Sequence, residues 1–153
     1  MTSDLRALYR DVIVDHSKHP RNFRTLEACR KAEGFNPLCG DRLTVYVQID
    51  NGVIRDVSFE GLGCAIAIAS ASLMTESVKG KTVAEADALF QRVHRLVTSA
   101  PGAPVEDLGA LSTLAGVRQF PVRVKCATLP WRTLQAAADH GGQRITGSAA
   151  RCP

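Results

Sequence analysis

The sequence is short of the residue classes that mark several common functions. It has one tryptophan, two tyrosines and five phenylalanines in 153 residues, so few side chains could stack on nucleobases. The 19 basic and 15 acidic residues leave a net charge of +4, and the basic residues are scattered rather than clustered. No window of about eighteen consecutive apolar residues occurs. The composition therefore argues against nucleic-acid binding and against a membrane-spanning helix.

The N-terminal residues also lack the features of a secretory leader. Residues 1–10 contain acidic and basic side chains and have neither an apolar core nor a cleavage site. We therefore expect a cytoplasmic protein, whose thiols are kept reduced. The five cysteines are an odd number, which disfavours a disulfide framework and favours metal binding or thiol chemistry. They are Cys29, Cys39, Cys64, Cys126 and Cys152.

Hydrophobic periodicity predicts an α+β fold built around one hairpin. Residues 43–49 alternate apolar and polar side chains, Asn51-Gly52 is a strong turn signal, and residues 53–59 return as a second strand. A further short strand is predicted within 27–35. Helical spacing predicts helices over 4–17, 65–78, 82–96, 105–114 and 122–139, with the place of Pro130 left open. We expect a small antiparallel sheet with helices on one side, a single domain over 1–141 and a disordered tail over 142–153.

The hairpin is predicted to bring Cys39, Asp41 and Cys64 to one end of the sheet. If the turn centres on Asn51-Gly52, residue 41 pairs with about residue 61. Cys39 then lies just before the first strand, in NPLCGD, and Cys64 just after the second, in GLGC. Both cysteines sit among glycines in loops, where functional residues are concentrated.

Cys126, in RVKCATLP, could add a third thiol to this set. If it starts a helix, the helix N-terminus and the neighbouring Lys125 would lower its pKa. Zinc accepts sulfur and oxygen ligands of this kind. The spacing is not that of a zinc ribbon, however, so each cysteine could equally be a small buried apolar residue. We expect Cys29 to be buried in a strand and Cys152 to be an exposed thiol.

The other chemistry-bearing residues give no further site. The four histidines have ordinary structural explanations, and no Ser-His-Asp order, Walker motif or dinucleotide-binding glycine pattern is present. Four arginines near the motifs would suit an acidic partner surface, although solvated surface charge explains them as well. These arginines are Arg21, Arg42, Arg118 and Arg123.

Four segments in this order resemble the SufU/IscU family of iron–sulfur cluster assembly proteins. They are YRDVIVDHSKHPRNF, NPLCGD, FEGLGCAIAIASASLMTE and VKCATLPW. The similarity runs over about residues 5–140. It implies an α+β fold with a three-stranded sheet and a metal site formed by Cys39, Asp41, Cys64 and Cys126.

The two branches of this family imply different functions. The IscU branch is a scaffold for a [2Fe–2S] cluster and has a histidine directly before its last cysteine, where this sequence has Lys125. The missing histidine and the long segment between Cys64 and Cys126 resemble the SufU branch. That branch implies a zinc-dependent sulfurtransferase, which accepts persulfide sulfur from a SufS-type, PLP-dependent cysteine desulfurase and passes it to a downstream iron–sulfur scaffold.

The SufU-like hypothesis assigns a role to each residue of the site. By resemblance, Zn²⁺ is held by all four residues, a desulfurase histidine displaces Cys39, and the freed Cys39 accepts the sulfur. Asp41 completes the zinc shell, while Cys64 and Cys126 remain as anchors. A [2Fe–2S] scaffold is the alternative, and a zinc-stabilised interaction domain without sulfur chemistry is a third hypothesis.

Overall fold

A three-stranded antiparallel sheet with helices on one face organises the chain. The computed structural model describes residues 3–27 and 30–140. The elements within these residues, in chain order, are α1 (Ser3–Lys18), β1 (Arg30–Asn36), β2 (Asp41–Asp50), β3 (Val53–Leu62), α2 (Ala65–Val78), α3 (Val83–Thr98), two 3₁₀ segments (Gly109–Gln119 and Pro121–Arg123) and α4 (Val124–His140).

The sheet is a meander in the order β1-β2-β3. Its alternating sequence decides which face is covered: Leu43, Val45 and Val47 of β2 are fully buried, whereas Arg42 and Gln48 are exposed. The predicted hairpin over β2 and β3, with Asn51 and Gly52 between the strands, is confirmed. A shift in register between Gln48 and Ile49 accommodates the turn.

Helices α2 and α4 cover the apolar face of the sheet, α1 packs on α2, and α3 packs beside α4. At Gly34 of β1, an added Cβ would overlap the Thr133 hydroxyl of α4, so glycine permits the close approach of this helix. The predicted fold class is thus confirmed. Within the described residues, no helix is both long enough and apolar enough to cross a membrane.

Most helix predictions hold because local signals and packing agree. Helix α2 matches the predicted 65–78 and is buried on nearly all sides, as its small apolar residues require. Helix α3 begins at the predicted capping box, in which the Thr82 side chain and the Glu85 side chain each accept a backbone N–H from the other residue.

Two predicted segments differ from the structure. The expected helix over 105–114 is instead a 3₁₀ segment over Gly109–Gln119, whose first residue, Gly109, has φ of 65°. Pro121 opens a 3₁₀ turn before α4, and Pro130 lies inside α4. Because Pro130 has no N–H, it cannot donate to the Cys126 carbonyl one turn earlier. The expected tail over 142–153, together with Cys29 and Cys152, lies outside the described residues.

Candidate metal and sulfur site

The open end of the β2–β3 hairpin positions the first part of the site. Arg42 pairs with Leu62, so Asp41 at the start of β2 lies beside the residues that follow β3. The Cys64 backbone N–H donates to Asp41 Oδ1 at 2.8 Å. The predicted meeting of Asp41 with Cys64 at this end of the sheet is therefore confirmed.

The turn between β1 and β2 carries Cys39 on the same end of the sheet. Asn36 and Asp41 are paired across the two strands, and the Cys39 N–H donates to the Asn36 carbonyl at 3.3 Å. Gly40 has φ of 70°, a conformation that a residue without Cβ adopts readily. Cys39 is half-buried and its neighbour Leu38 is 75% exposed. The Cys39 thiol thus lies on an accessible turn.

Cys126 reaches this group from α4. It is fully buried, and its Sγ lies 3.0 Å from Cys39 Sγ. One ligand atom each from Cys39, Asp41 and Cys126 all lie within 4.8 Å of one another. Two thiols and a carboxylate at this separation are a donor set that fits a zinc ion chemically.

Cys64 lies beside this group, but its Sγ is not one of the ligand atoms that all lie within 4.8 Å of one another. It is the N-cap of α2, and its Sγ accepts the Ala67 N–H at 3.4 Å. Its thiol is nevertheless close enough to Cys126 to contribute to the raised pKa of that residue. The structure thus gathers three of the four predicted site residues and places the fourth on the adjoining helix end.

Burial favours the protonated thiol of Cys126 by raising its pKa. Burial is the largest cause that raises the pKa of this thiol, followed by hydrogen bonds with Cys39 and Asp41. Cys126 lies in the first turn of α4, but the prediction that the helix N-terminus and Lys125 would lower its pKa is wrong, because burial is the dominant effect and Lys125 is exposed.

Asn36 is a site residue that sequence reasoning missed. It is 5% exposed, and its Nδ2 lies 3.4 Å from Asp41 Oδ2 and 3.6 Å from Cys126 Sγ. Its Oδ1 accepts the Leu38 N–H at 3.2 Å. Asn in NPLCGD is readily explained as a turn residue, so only the position next to the metal-site motif could have indicated this role.

Arg123 is a second missed residue. Its Nη1 donates to Cys39 Sγ at 3.6 Å. The sequence suggested Arg123 only as part of a surface for an acidic partner. Its place three residues before Cys126, about one helical turn, is the signal that could have found it.

Four large apolar side chains are exposed near the site, and we call them the apolar rim. Each neighbours a residue already described: Leu38 precedes Cys39, and Leu62 pairs with Arg42. Val122 precedes Arg123, and the Phe120 carbonyl accepts the Arg123 N–H. The rim consists of Leu38 (75% exposed), Leu62 (80%), Phe120 (51%) and Val122 (75%). Exposed apolar side chains grouped near a site are typical of protein–protein contact surfaces.

Comparison with known proteins assigns the family. The profile of the NifU-like N-terminal domain matches residues 8–139, nearly the whole described chain. The chain belongs to the NifU-like N-terminal domain family. As a member of this family it is an iron–sulfur cluster assembly protein of the SufU/IscU type, as the resemblance implied.

Relatives of this NifU-like domain have two different names. The chain is 39% identical over 142 residues to the zinc-dependent sulfurtransferase SufU of Bacillus subtilis, spanning 92% of this chain and 97% of that protein. It is 40% identical over 135 residues to the iron–sulfur cluster assembly scaffold protein IscU of Streptococcus pyogenes, spanning 88% and 85%.

A solved structure shares the fold. A candidate iron–sulfur cluster assembly scaffold protein for the SUF system from Fervidobacterium islandicum is 36% identical and superposes with a TM-score of 0.77, over 86% of this chain and 97% of that one. The SufU/IscU-like fold is therefore confirmed.

Proposed function

We propose that this protein is a zinc-dependent sulfurtransferase that accepts persulfide sulfur from a SufS-type, PLP-dependent cysteine desulfurase. The observation that carries the proposal is the accessible Cys39 thiol, 3.0 Å from Cys126 Sγ and grouped with Asp41. The similarity to the SufU of Bacillus subtilis over nearly the full length of both chains supports it. The sulfur would serve iron–sulfur cluster biogenesis in the cytoplasm and pass to a downstream scaffold.

Four residues would hold the zinc ion. Cys39, Asp41 and Cys126 supply three donors, and a change in the side-chain rotamer of Cys64 would bring the fourth. When bound, Zn²⁺ would keep the cysteines as thiolates despite their burial. Asn36 orients the Asp41 carboxylate toward the group through its Nδ2 hydrogen bond.

Cys39 is the residue best placed to accept sulfur. Its thiolate would attack the outer sulfur of a donor persulfide, so that a new S–S bond forms at Cys39 and the donor's S–S bond breaks. The bonding electrons leave on the donor cysteine, which departs as a thiolate, and no external oxidant or reductant is needed. Cys126 is buried on α4, and Cys64, although half-buried like Cys39, is held by the Ala67 N–H at the start of α2.

The apolar rim is a suitable docking surface for the desulfurase. Its side chains flank the turn that carries Cys39 and the segment that carries Arg123. A partner that seats on them would bring its own reactive loop to Cys39 and exclude water from the reacting sulfurs.

The experiment is to incubate the protein with a purified desulfurase and cysteine, and to map persulfides by alkylation and mass spectrometry. We expect the persulfide on Cys39 and its loss in Cys39→Ala. Cys152→Ala, which removes a cysteine that is not one of the four proposed zinc ligands, is the matched control and should retain it. A Cys39→Ala variant that still accelerates the desulfurase and carries persulfide would contradict the assignment.

A [2Fe–2S] scaffold is the second candidate function. The similarity to the IscU of Streptococcus pyogenes favours it, and thiolates with a carboxylate can also hold iron. Lys125, in the position where the IscU branch has a histidine, favours the sulfurtransferase. Anaerobic reconstitution separates the two: a scaffold yields a stable brown [2Fe–2S] protein, whereas the zinc sulfurtransferase stays colourless.

A further inference from the structure

The guanidinium of Arg123 is directed at the sulfur atoms of the site. Its Nη1 donates to Cys39 Sγ at 3.6 Å. A hydrogen bond with Cys126 and the charges of Cys64, Cys39 and Cys126 raise the pKa of Arg123. The guanidinium of Arg123 is thus in hydrogen-bond contact with the proposed sulfur acceptor.

The backbone fixes the place of this cation. Arg123 ends the 3₁₀ turn that Pro121 opens, and its N–H donates to the Phe120 carbonyl at 2.7 Å. Helix α4 begins at the next residue and carries Cys126 one turn further on. Arg123 and Cys126 thus lie on consecutive helical segments, whereas Cys39 lies on the turn between β1 and β2.

Several other arginines among the described residues have carboxylate partners. Arg21, Arg24 and Arg92 each form an ion pair with a carboxylate. Within the parts of the chain that the structure describes, Arg123 forms no such ion pair, and its guanidinium donates to Cys39 Sγ. Its charge is therefore available to an anion at Cys39.

We propose that Arg123 binds the sulfur anion at Cys39 during transfer, first the accepting thiolate and then the persulfide that it becomes. This inference rests on the proposed sulfur acceptor function and assigns it a further catalytic residue. After the attack, the new Cys39 persulfide gives its proton to the departing donor thiolate, because a persulfide is the stronger acid. The negative charge then lies on the outer sulfur, one bond beyond Sγ.

The shape of the guanidinium suits this change of position. Its N–H groups form a planar fork, so one can stay on Cys39 Sγ while another reaches the outer sulfur. Lysine has the same charge at a single point and would bind the two sulfur atoms less well. Charge-assisted hydrogen bonds of this type are roughly twice as strong as neutral ones, so their loss should expose the persulfide to attack by other thiols.

The test loads the zinc protein by incubation with a desulfurase and cysteine, because the proposed mechanism needs the desulfurase to free Cys39 from zinc, and then removes both. The quantity measured is the lifetime of the persulfide on Cys39, followed by alkylation and mass spectrometry. In Arg123→Gln we expect a lifetime about tenfold shorter than in the wild-type protein. Arg123→Lys should be intermediate, and Arg42→Gln, an exposed arginine stacked on Phe35 nearby, should match the wild type.

Arg123→Met, a second neutral variant of similar volume, keeps the test valid if Arg123→Gln fails to fold. Circular dichroism establishes whether each variant is folded. If the neutral variants hold the Cys39 persulfide as long as the wild type does, the assignment of Arg123 is overturned while the proposed function stands. If the wild-type protein carries no persulfide after incubation with a desulfurase and cysteine, the proposed function fails and the role of Arg123 fails with it.

Discussion

At the scale of single residues, the three cysteines of the site differ in how freely each can move. Cys126 is fixed in the buried face of α4, and Cys64 is engaged as the N-cap of α2. Cys39 lies on a turn with Gly40 at positive φ, half-buried and next to an exposed leucine. A residue that must meet a partner's persulfide needs this freedom, which is why we propose Cys39 as the sulfur acceptor.

Asn36 should control how well the site binds metal. Its Nδ2 hydrogen bonds to Asp41 and Cys126 hold two members of the site in place, and groups of this kind typically change metal affinity by about 10–100-fold. We predict a loss of zinc affinity in that range for Asn36→Ala, measured by competition with a chelator. Asn22→Ala, which removes a hydrogen bond to Thr75 instead, is the control. Equal zinc affinity in Asn36→Ala and the wild type would contradict the prediction.

At the scale of secondary-structure elements, the local patterns could be predicted and the long-range contacts could not. Alternation along β2 and the Asn51-Gly52 turn fix the hairpin, and the hairpin alone brings Asp41 to Cys64. The position of Cys126 depends on how closely α4 approaches β1, which Gly34 permits, and no local pattern contains this information. The wrong pKa prediction for Cys126 has the same cause, because its burial comes from tertiary packing.

The contact between α1 and α2 should make stability depend on pH through His16. This histidine is 7% exposed, and its Nδ1 lies 2.7 Å from Ser72 Oγ, which also accepts the Arg21 N–H. The hydroxyl can therefore donate to an unprotonated Nδ1. Burial and then the charge of Arg21 lower the pKa of His16, although Glu76 and Asp15 oppose the shift.

The sign of the effect follows from this lowered pKa. Because the unfolded chain binds the proton more readily than the folded one, the contribution of neutral His16 is complete above about pH 6.5 and is lost as the pH falls through the folded-state pKa. We predict that the free energy of unfolding of His16→Gln, measured in urea between about pH 7.5 and 5, decreases less steeply than that of the wild type. Equal slopes for both proteins would refute the assignment.

At the scale of the whole molecule, the apolar rim and the turn that carries Cys39 lie in one region of the surface. We predict that Leu62→Ser raises the concentration of this protein needed for half-maximal activation of the desulfurase by about tenfold, because an apolar anchor is lost at the contact. Zinc content and melting temperature should not change, since Leu62 is 80% exposed. Val14→Ser, at an exposed position of α1 outside the rim, is the control. If the two variants activate equally well, the rim is not the docking surface.

The measurement that tests the central claim most directly is desulfurase turnover with and without this protein, on samples of known zinc content. We predict strong activation by the zinc-loaded protein, loss of that activation after chelation, and recovery when zinc is restored. Absence of activation by the zinc-loaded protein, together with a stable [2Fe–2S] spectrum after anaerobic reconstitution, would contradict the sulfurtransferase function and assign the protein to the scaffold class.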